Sequence, residues 1–254
     1  MIEYETLSKL IPESIKLILL KTVNSTNDYA KALSKDEHTK NIVIIAKEQT
    51  KGKGTKERSF YSPVNEGLYL SYLFHTKASI TELNPITPAA AVAVARVVER
   101  LYSLNPMIKW VNDIELNGKK LCGILTESVH HIFDNSNSII IGIGLNTNTK
   151  SFPEDIVNRA TSLAEFVSEI DINILAAAII NEIDYILNSS SNEYMNEYIK
   201  RCSTIGKEIT FTHNNIQKTG FVTSISKEGH LIVKCNNDSL VLFSGDVTEI
   251  NNTL

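Results

Sequence analysis

Apolar residues in the first 150 positions recur in short runs that predict strands alternating with helices. Runs at residues 15–23, 42–46, 68–74 and 139–145 have the length and the bounding polar residues of strands. The alanine- and valine-rich stretch 88–101 has its charges gathered towards its end and predicts a buried helix. Together these elements predict a sheet covered by helices.

Polar positions mark where further helices begin and end. Ser25 is placed to cap a helix that runs through Ala30, because its hydroxyl can accept from a backbone N–H of the first turn. Residues 163–170 and 174–198 predict two more helices, the second interrupted by the polar run 188–192.

The stretch 49–63 has the composition of a long loop. It carries Gly52 and Gly54 and almost no apolar side chain before Phe60. Such a segment cannot bury itself, so we expect it to be mobile without a ligand. It is not a Walker phosphate loop, because no Gly-Lys-Ser/Thr ending follows at the required spacing.

The character of the sequence changes near Ile205. Short alternating strands separated by polar turns are predicted from there, at residues 208–212, 220–225, 231–235 and 240–243. Regular short strands with tight turns are typical of a small barrel. The sequence therefore predicts a larger domain over residues 1–203 and a smaller one over 204–254.

Asn117-Gly118, between two short apolar runs, is the strongest local signal in the chain and predicts a β-hairpin. The hairpin would fix Asn112, Asp113 and Lys120 on one ribbon. A carboxylate beside an amide can hold Mg²⁺ through oxygen ligands. An ammonium nearby can neutralise a carboxylate or a phosphate. The pattern indicates chemistry in which two anions are brought together.

Composition narrows the class of protein. The chain has 254 residues and a net charge of -4, which argues against a nucleic-acid surface. Its longest apolar run, 89–95, is too short to span a bilayer, and no signal peptide is evident. Three scattered cysteines do not suggest a disulfide framework. We expect a cytoplasmic protein with no membrane and no DNA partner.

The hairpin sequence resembles two elements of biotin protein ligases, KWPND at residues 109–113 and KLxGIL at 120–125. Other segments resemble further elements of that family in the same order: the STN segment Ser25-Thr26-Asn27, the start of the glycine-rich loop at 48–54, the strand 67–71, the GxGxN strand 141–146 and the ATSL segment 160–163. The resemblance extends from about residue 18 to residue 250.

The resemblance implies an α+β fold, with a class II synthetase-like mixed sheet flanked by helices and a small C-terminal SH3-like β-barrel. It implies an ATP-dependent ligase that activates biotin as biotinyl-AMP. The biotinyl group then passes to a lysine of a biotin carboxyl carrier domain. The resemblance implies ATP and Mg²⁺ as cofactors and a homodimer as the assembly.

The resemblance also implies roles for individual residues. Lys120 would contact the biotin carboxylate and act in catalysis with Arg58 and Lys53. Biotin would be bound by Ser25, Thr26, Asn27, Gln49, Gly52, Lys53, Gly54, Thr55, Lys120, Gly123, Gly142 and Gly144. Arg58, Phe60, Asn112 and Asn146 would bind ATP, and Asp113 would support the metal.

Some of these roles also follow from side-chain chemistry. A buried ureido ring needs both donors and acceptors, which Ser, Thr, Asn and Gln provide. Gly142 and Gly144 alternate along a strand and predict a flat floor for an apolar ligand tail. Lys119 and Lys120 should point to opposite faces, so that one meets the site and the other meets water.

The loop departs from the family pattern G-x-G-R-x-G-R-x-W. Thr55 replaces the first Arg, Glu57 a Gly and Phe60 the Trp, whereas Arg58 is kept; outside the loop, Val111 replaces a Pro. Threonine cannot supply a bidentate cation. The sequence therefore predicts weaker retention of the reactive adenylate.

Two alternatives stay open at this point. One is a lipoate or octanoate ligase or transferase of related fold, in which Cys122 could form a thioester, since alternation predicts that it shares a face with Lys120. The other is a biotin-sensing repressor. About twenty residues precede Ser25, too few for a winged helix-turn-helix, which disfavours that role.

Overall fold

The computed structural model describes residues 2–35, 41–78, 85–189, 193–214, 216–236, 238–243 and 247–250. Its helices are α1 (Tyr4–Ser8), α2 (Thr26–Leu33), α3 (Ile86–Tyr102), α4 (Ile172–Asn188) and α5 (Glu193–Arg201). Its strands are β1 (Ile15–Leu20), β2 (Asn41–Ala46), β3 (Gly67–Thr76), β4 (Met107–Lys109), β5 (Asp113–Leu116), β6 (Lys119–His131), β7 (Ser136–Asn146), β8 (Glu208–His213), β9 (Ile216–Ile225), β10 (Leu231–Cys235), β11 (Asp238–Leu242) and β12 (Val247–Glu249).

Seven strands form a mixed sheet in the order β1-β2-β3-β7-β6-β5-β4. Only the pairing of β1 with β2 is parallel within this sheet. Alternation along β2 explains how helices cover both faces: Val43 and Ile45 pack in the cluster with α3 and α4, whereas Ile42 and Ile44 pack with Ala30 of α2. The predicted mixed sheet flanked by helices is confirmed.

The helix predictions are confirmed in part. α3 includes the predicted 88–101, and α4 ends at Asn188, where the interruption was expected; residues 190–192 lie outside the described residues. The helix predicted over 163–170 is wrong, because only a 3₁₀ turn, Leu163–Glu165, forms there. The N–H groups of both Phe166 and Val167 donate to Leu163 O, and the series of helical hydrogen bonds ends there.

The predicted hairpin is present as β5 and β6. Asn117 and Gly118 have φ angles of 50° and 74°, the left-handed values that a tight two-residue hairpin turn requires. The register shifts within the hairpin, since Glu115 lies opposite Lys120 but Ile114 lies opposite Cys122. Leu121 is therefore an extra residue, and this β-bulge changes which side chains face each side.

The C-terminal strands form a separate five-stranded antiparallel sheet in the order β11-β10-β9-β8-β12. The predicted small C-terminal β-domain is confirmed, although within the described residues no ladder joins β11 to β12, so its sheet is not closed into a barrel. Its buried residues, such as Phe211 and Val233, belong to the same apolar cluster as the main sheet. The main domain therefore covers the apolar face that a closed barrel would bury within itself.

Two hydrogen bonds from Trp110, which follows β4, connect the main domain to the C-terminal domain. Its indole Nε1 donates to Gly229 O at 2.9 Å, and its backbone N donates to Thr204 Oγ1 at 3.1 Å. The domain boundary between residues 203 and 204 stays a prediction. Among the described residues, no helix is both long enough and apolar enough to cross a lipid bilayer.

Candidate active site

A cavity of about 460 Å³ lies where the start of α2, the loop 49–61, the β5–β6 hairpin and β7 meet. It brings together nearly all of the predicted site residues: Ser25, Thr26, Asn27, Gln49, Lys53, Gly54, Thr55, Arg58, Phe60, Asn112, Asp113, Lys120, Gly123, Gly142, Gly144 and Asn146. Of the predicted site residues, Gly52 alone does not line the cavity. A Cβ there would lie 2.5 Å from Phe60 O, so Gly52 allows the loop to fold tightly.

Neutral hydrogen-bonding groups occupy the end of the cavity at α2. Ser25 caps this helix, since its Oγ accepts from Asp28 N at 3.4 Å. Gln49 Oε1 accepts from Thr26 N at 2.8 Å and from Thr26 Oγ1 at 3.0 Å. Because a backbone N–H can only donate, the Gln49 amide has one orientation, and its Nε2 donates to Ser62 Oγ at 3.1 Å. Gln49 therefore keeps a second N–H for a ligand.

Gly142 and Gly144 provide space, but protein side chains use it. A Cβ at residue 142 would lie 2.3 Å from Asn27 Oδ1, and one at 144 would lie 2.6 Å from Phe60 Cε1. Gly142 therefore admits the Asn27 amide to the sheet, and Gly144 admits the Phe60 ring. A floor for an apolar ligand tail at these two glycines stays a prediction.

The loop folds back on itself beside the cavity. Phe60 N donates to Gly52 O at 2.9 Å, and Gly54 N donates to Arg58 O at 2.6 Å. Lys53 lines the cavity, but its Nζ lies 2.6 Å from Asp28 Oδ1 on α2. The hydrogen bond with Asp28 raises the pKa of Lys53 above its ordinary value. The ion pair joins the loop to the helix, while the mobility of the loop stays a prediction.

Arg58 matches an arginine of the family pattern. It is held by Thr55, which stands where that pattern has another arginine. Its Nη2 donates to Thr55 Oγ1 at 2.8 Å, and its Nε donates to Thr55 O at 3.2 Å. Thr55 therefore contacts Arg58, and it adds no charge of its own to the cavity.

The hairpin carries a second close ion pair. Lys120 Nζ lies 2.6 Å from Asp113 Oδ1 and 6.0 Å from the centroid of the Phe60 ring. Asn112 Nδ2 donates to Ile124 O at 2.7 Å, which leaves its Oδ1 as an acceptor or ligand oxygen. Asn146 likewise donates to Thr161 O at 3.0 Å at the end of β7.

Cys122 does not share a face with Lys120, so that prediction is wrong. The bulge at Leu121 shifts the alternation, and Lys120 and Gly123 line the cavity whereas Cys122 is buried in the core. Burial raises the pKa of the Cys122 thiol well above its ordinary value. A buried thiol that stays protonated cannot act as the nucleophile of a thioester route.

The sequence interpretation missed several lining residues. Lys109 and Glu115 both face the cavity, with Lys109 Nζ 3.9 Å from Glu115 Oε1, and burial raises the pKa of the Glu115 carboxyl. Lys109 lies four residues before Asp113 and Glu115 two residues after it, on strands that pair with each other, and this spacing was an available signal. Arg159 and Thr248 also line the cavity, but they come from distant segments and carry no local signal.

The cavity is richer in cations than in carboxylates. Lys53, Arg58, Lys109, Lys120 and Arg159 line it, against Asp113 and Glu115. Among the described residues there is no group of three or more His, Cys, Asp or Glu side chains that could hold a metal ion. The arrangement suits an anionic ligand, with any Mg²⁺ held by one or two protein oxygens together with ligand phosphates.

Comparison with known proteins places this geometry in a family. Residues 19–146 match the model of the biotin/lipoate A/B protein ligase family, a segment that holds α2, the loop, the hairpin and β7. The chain is 29% identical over 241 residues to the bifunctional ligase/repressor BirA of Bacillus subtilis, covering 91% of this chain and 73% of that protein. It is 26% identical over 218 residues to the biotin–[acetyl-CoA-carboxylase] ligase of Mycobacterium tuberculosis, covering 82% and 79%.

A solved structure agrees with these sequence matches. The biotin protein ligase of Aquifex aeolicus, in complex with biotin and ATP, superposes with a TM-score of 0.78 at 25% identity, over 92% of this chain and 98% of that one. The match extends across both sheets and not only over the 128-residue segment that the family model covers. The chain belongs to the biotin/lipoate A/B protein ligase family.

Proposed function

We propose that this chain is an ATP-dependent biotin protein ligase, which forms biotinyl-AMP and transfers the biotinyl group to a lysine of a biotin carboxyl carrier domain. One observation carries the proposal. A single cavity unites neutral donors and acceptors at α2 with the cations Lys120 and Arg58 at the hairpin and loop. Biotin has a ureido ring at one end and a carboxylate at the other, which fits this division.

In the first step, a biotin carboxylate oxygen attacks the α-phosphorus of ATP, and pyrophosphate leaves. Two anions must meet, and their repulsion is the main electrostatic obstacle. Lys120 would neutralise the carboxylate and Arg58 the phosphates, because both cations line the cavity at the junction of hairpin and loop. Phe60 offers an aromatic face on which the adenine ring could stack.

The residues of the hairpin fit a bound Mg²⁺. Asp113 offers a carboxylate and Asn112 an unused Oδ1, which are the hard oxygen ligands that this ion prefers. When bound with ATP, the ion would supply positive charge to the phosphates. Asp113 would exchange part of its interaction with Lys120 for the metal, which leaves the ammonium for the biotin carboxylate.

In the second step, the neutral amine of an acceptor lysine attacks the carbonyl carbon of the anhydride, and AMP leaves. No side chain of the ligase forms a covalent bond, which agrees with the burial of Cys122. The loop 49–61 would shield the anhydride from water. The carrier domain as acceptor, a cytoplasmic site of action and a homodimer remain predictions.

Lipoate or octanoate ligation is the second candidate, because the family includes lipoate ligases. Both acids have a carboxylate for Lys120, but neither has a ureido group. The second N–H of Gln49 would then remain without a ligand partner in the cavity. This donor therefore favours biotin.

The proposal is tested by ATP–pyrophosphate exchange with biotin, lipoate and octanoate supplied in turn. We expect exchange with biotin and none with the other two acids. Exchange driven by lipoate or octanoate would keep the adenylating site but overturn the substrate. No exchange with any of the three would overturn the enzyme itself.

A further inference from the structure

The amide of Asn27 is held in one orientation by groups that cannot exchange roles. Its Nδ2 donates to Leu125 O at 3.2 Å and to Glu127 Oε2 at 2.8 Å. A carbonyl and a carboxylate are acceptors without a proton, so only the nitrogen end of the amide can face them. On the other end, Ser71 Oγ donates to Asn27 Oδ1 at 2.6 Å.

This orientation decides what Asn27 can offer to a ligand. Both N–H bonds of Nδ2 are used, so the group left for the cavity is a lone pair of Oδ1, which is an acceptor. Gln49 has the opposite character, because its Oε1 is used by Thr26 and a Nε2 N–H remains. An acceptor and a donor at one end of a cavity match the N–H and C=O of a cyclic urea.

Glu127 provides the stronger of the two contacts that orient Asn27. Its bond to Nδ2 is shorter than that from Leu125 O, and it is charge-assisted. Its other oxygen, Oε1, lies 2.6 Å from Lys31 Nζ on α2. One carboxylate oxygen is thus anchored to α2 and the other faces Asn27, which limits the rotamers of Glu127.

We propose that Glu127 is a positioning residue that fixes the Asn27 amide and thereby selects a ligand carrying a ureido N–H. Glu127 does not line the cavity and acts only through Asn27. Asn27 is 4% exposed, so an N–H of its amide without Glu127 would lose its partner in a buried site. The inference rests on the proposed function, because the ureido group is that of biotin.

The test compares two changes at one position. Glu127→Met keeps the length of the side chain but removes the acceptor, whereas Glu127→Gln keeps an oxygen for Asn27. The matched control is Glu197→Met, because Glu197 has the same side-chain exposure of 23% and also forms ion pairs, with Arg96 and Arg201, away from the cavity. Glu127→Ala replaces the Met variant if that one does not fold.

We measure KM for biotin and for ATP in the exchange reaction, together with the direct binding of biotin by calorimetry. In Glu127→Met, KM for biotin should rise about tenfold while KM for ATP stays within about twofold. Glu127→Gln should recover most of this loss, and Glu197→Met should leave both KM values unchanged.

Two results would overturn the inference while leaving the ligase intact. One is an unchanged KM for biotin in Glu127→Met. The other is an equal rise in both KM values, which would indicate a general structural role. If the wild-type chain neither binds biotin nor catalyses exchange, the proposed function itself fails, and the two failures are distinguished in the same experiment.

Discussion

Lys120 and Asp113 form an ion pair inside the cavity, with 2.6 Å between Nζ and Oδ1. From the sequence, Lys120 is predicted to contact a carboxylate and Asp113 to support a metal ion. In the structure each is the partner of the other. Because a carboxylate beside an ammonium offsets its charge, Asp113 controls how strongly Lys120 attracts a second anion.

Asp113→Asn should separate biotin binding from adenylation. The change removes the negative charge, so the affinity for biotin should stay the same or increase, since Lys120 is then available to the carboxylate. Pyrophosphate exchange should nevertheless fall about a hundredfold, because the charge that would support Mg²⁺ is lost. Calorimetry with biotin and the exchange assay together check this. A loss of biotin affinity parallel to the loss of exchange would contradict it.

Gly142→Ala and Gly144→Ala should weaken different ligands. A methyl group at 142 would meet Asn27 at 2.3 Å, and one at 144 would meet the Phe60 ring at 2.6 Å. The first should raise KM for biotin and the second KM for ATP, each about tenfold, because overpacking displaces the contacting side chain. Each variant is the control for the other. Identical changes in both KM values would refute these assignments.

Thr55→Arg should slow the release of biotinyl-AMP. Threonine holds Arg58 by its hydroxyl, whereas an arginine would add a second bidentate cation over the cavity and leave Arg58 for the ligand. We expect release about tenfold slower, measured with radiolabelled adenylate in the absence of an acceptor. Lys51→Arg at an exposed loop position is the control. Equal release rates in wild type and Thr55→Arg would disprove the idea.

Glu115 should make the stability of the fold depend on pH. Burial raises the pKa of its carboxyl above the ordinary 4.5, so the folded state holds this proton more tightly than the unfolded state. The free energy of unfolding should therefore fall as pH rises from 4.5 through the raised pKa. Glu115→Gln should remove that part of the pH dependence, as followed by urea unfolding.

Glu13→Gln, at an exposed position, is the control for this pH series. It should leave the pH dependence of the wild type unchanged. Parallel stability curves for the wild type and Glu115→Gln would contradict a role for this carboxyl.

Features encoded within a few residues could be predicted from the sequence. Asn117-Gly118 predicts the hairpin turn because few other residue pairs tolerate two positive φ angles. Ser25 predicts the start of α2 because its hydroxyl reaches a backbone N–H three residues on. Most of the cavity could be assembled from such segments together with the family resemblance.

Features set by distant partners could not be predicted. The bulge that moves Cys122 into the core depends on the register between β5 and β6, which alternation along one strand does not reveal. The buried residues of the C-terminal sheet share one apolar cluster with the main domain, a contact that no pattern within residues 205–250 reveals. Glu127 lies 100 positions from Asn27, so nothing in the sequence near either residue indicates their contact.

Biotin-dependent ATP–pyrophosphate exchange in Lys120→Ala, measured beside Lys119→Ala, tests whether Lys120 stands at the adenylating site. The two lysines are adjacent on β6, but only Lys120 lines the cavity. Exchange should fall at least about a hundredfold in Lys120→Ala and stay within about twofold in Lys119→Ala. Full exchange in Lys120→Ala, or an equal loss in both variants, would contradict the placement of the adenylating site at Lys120.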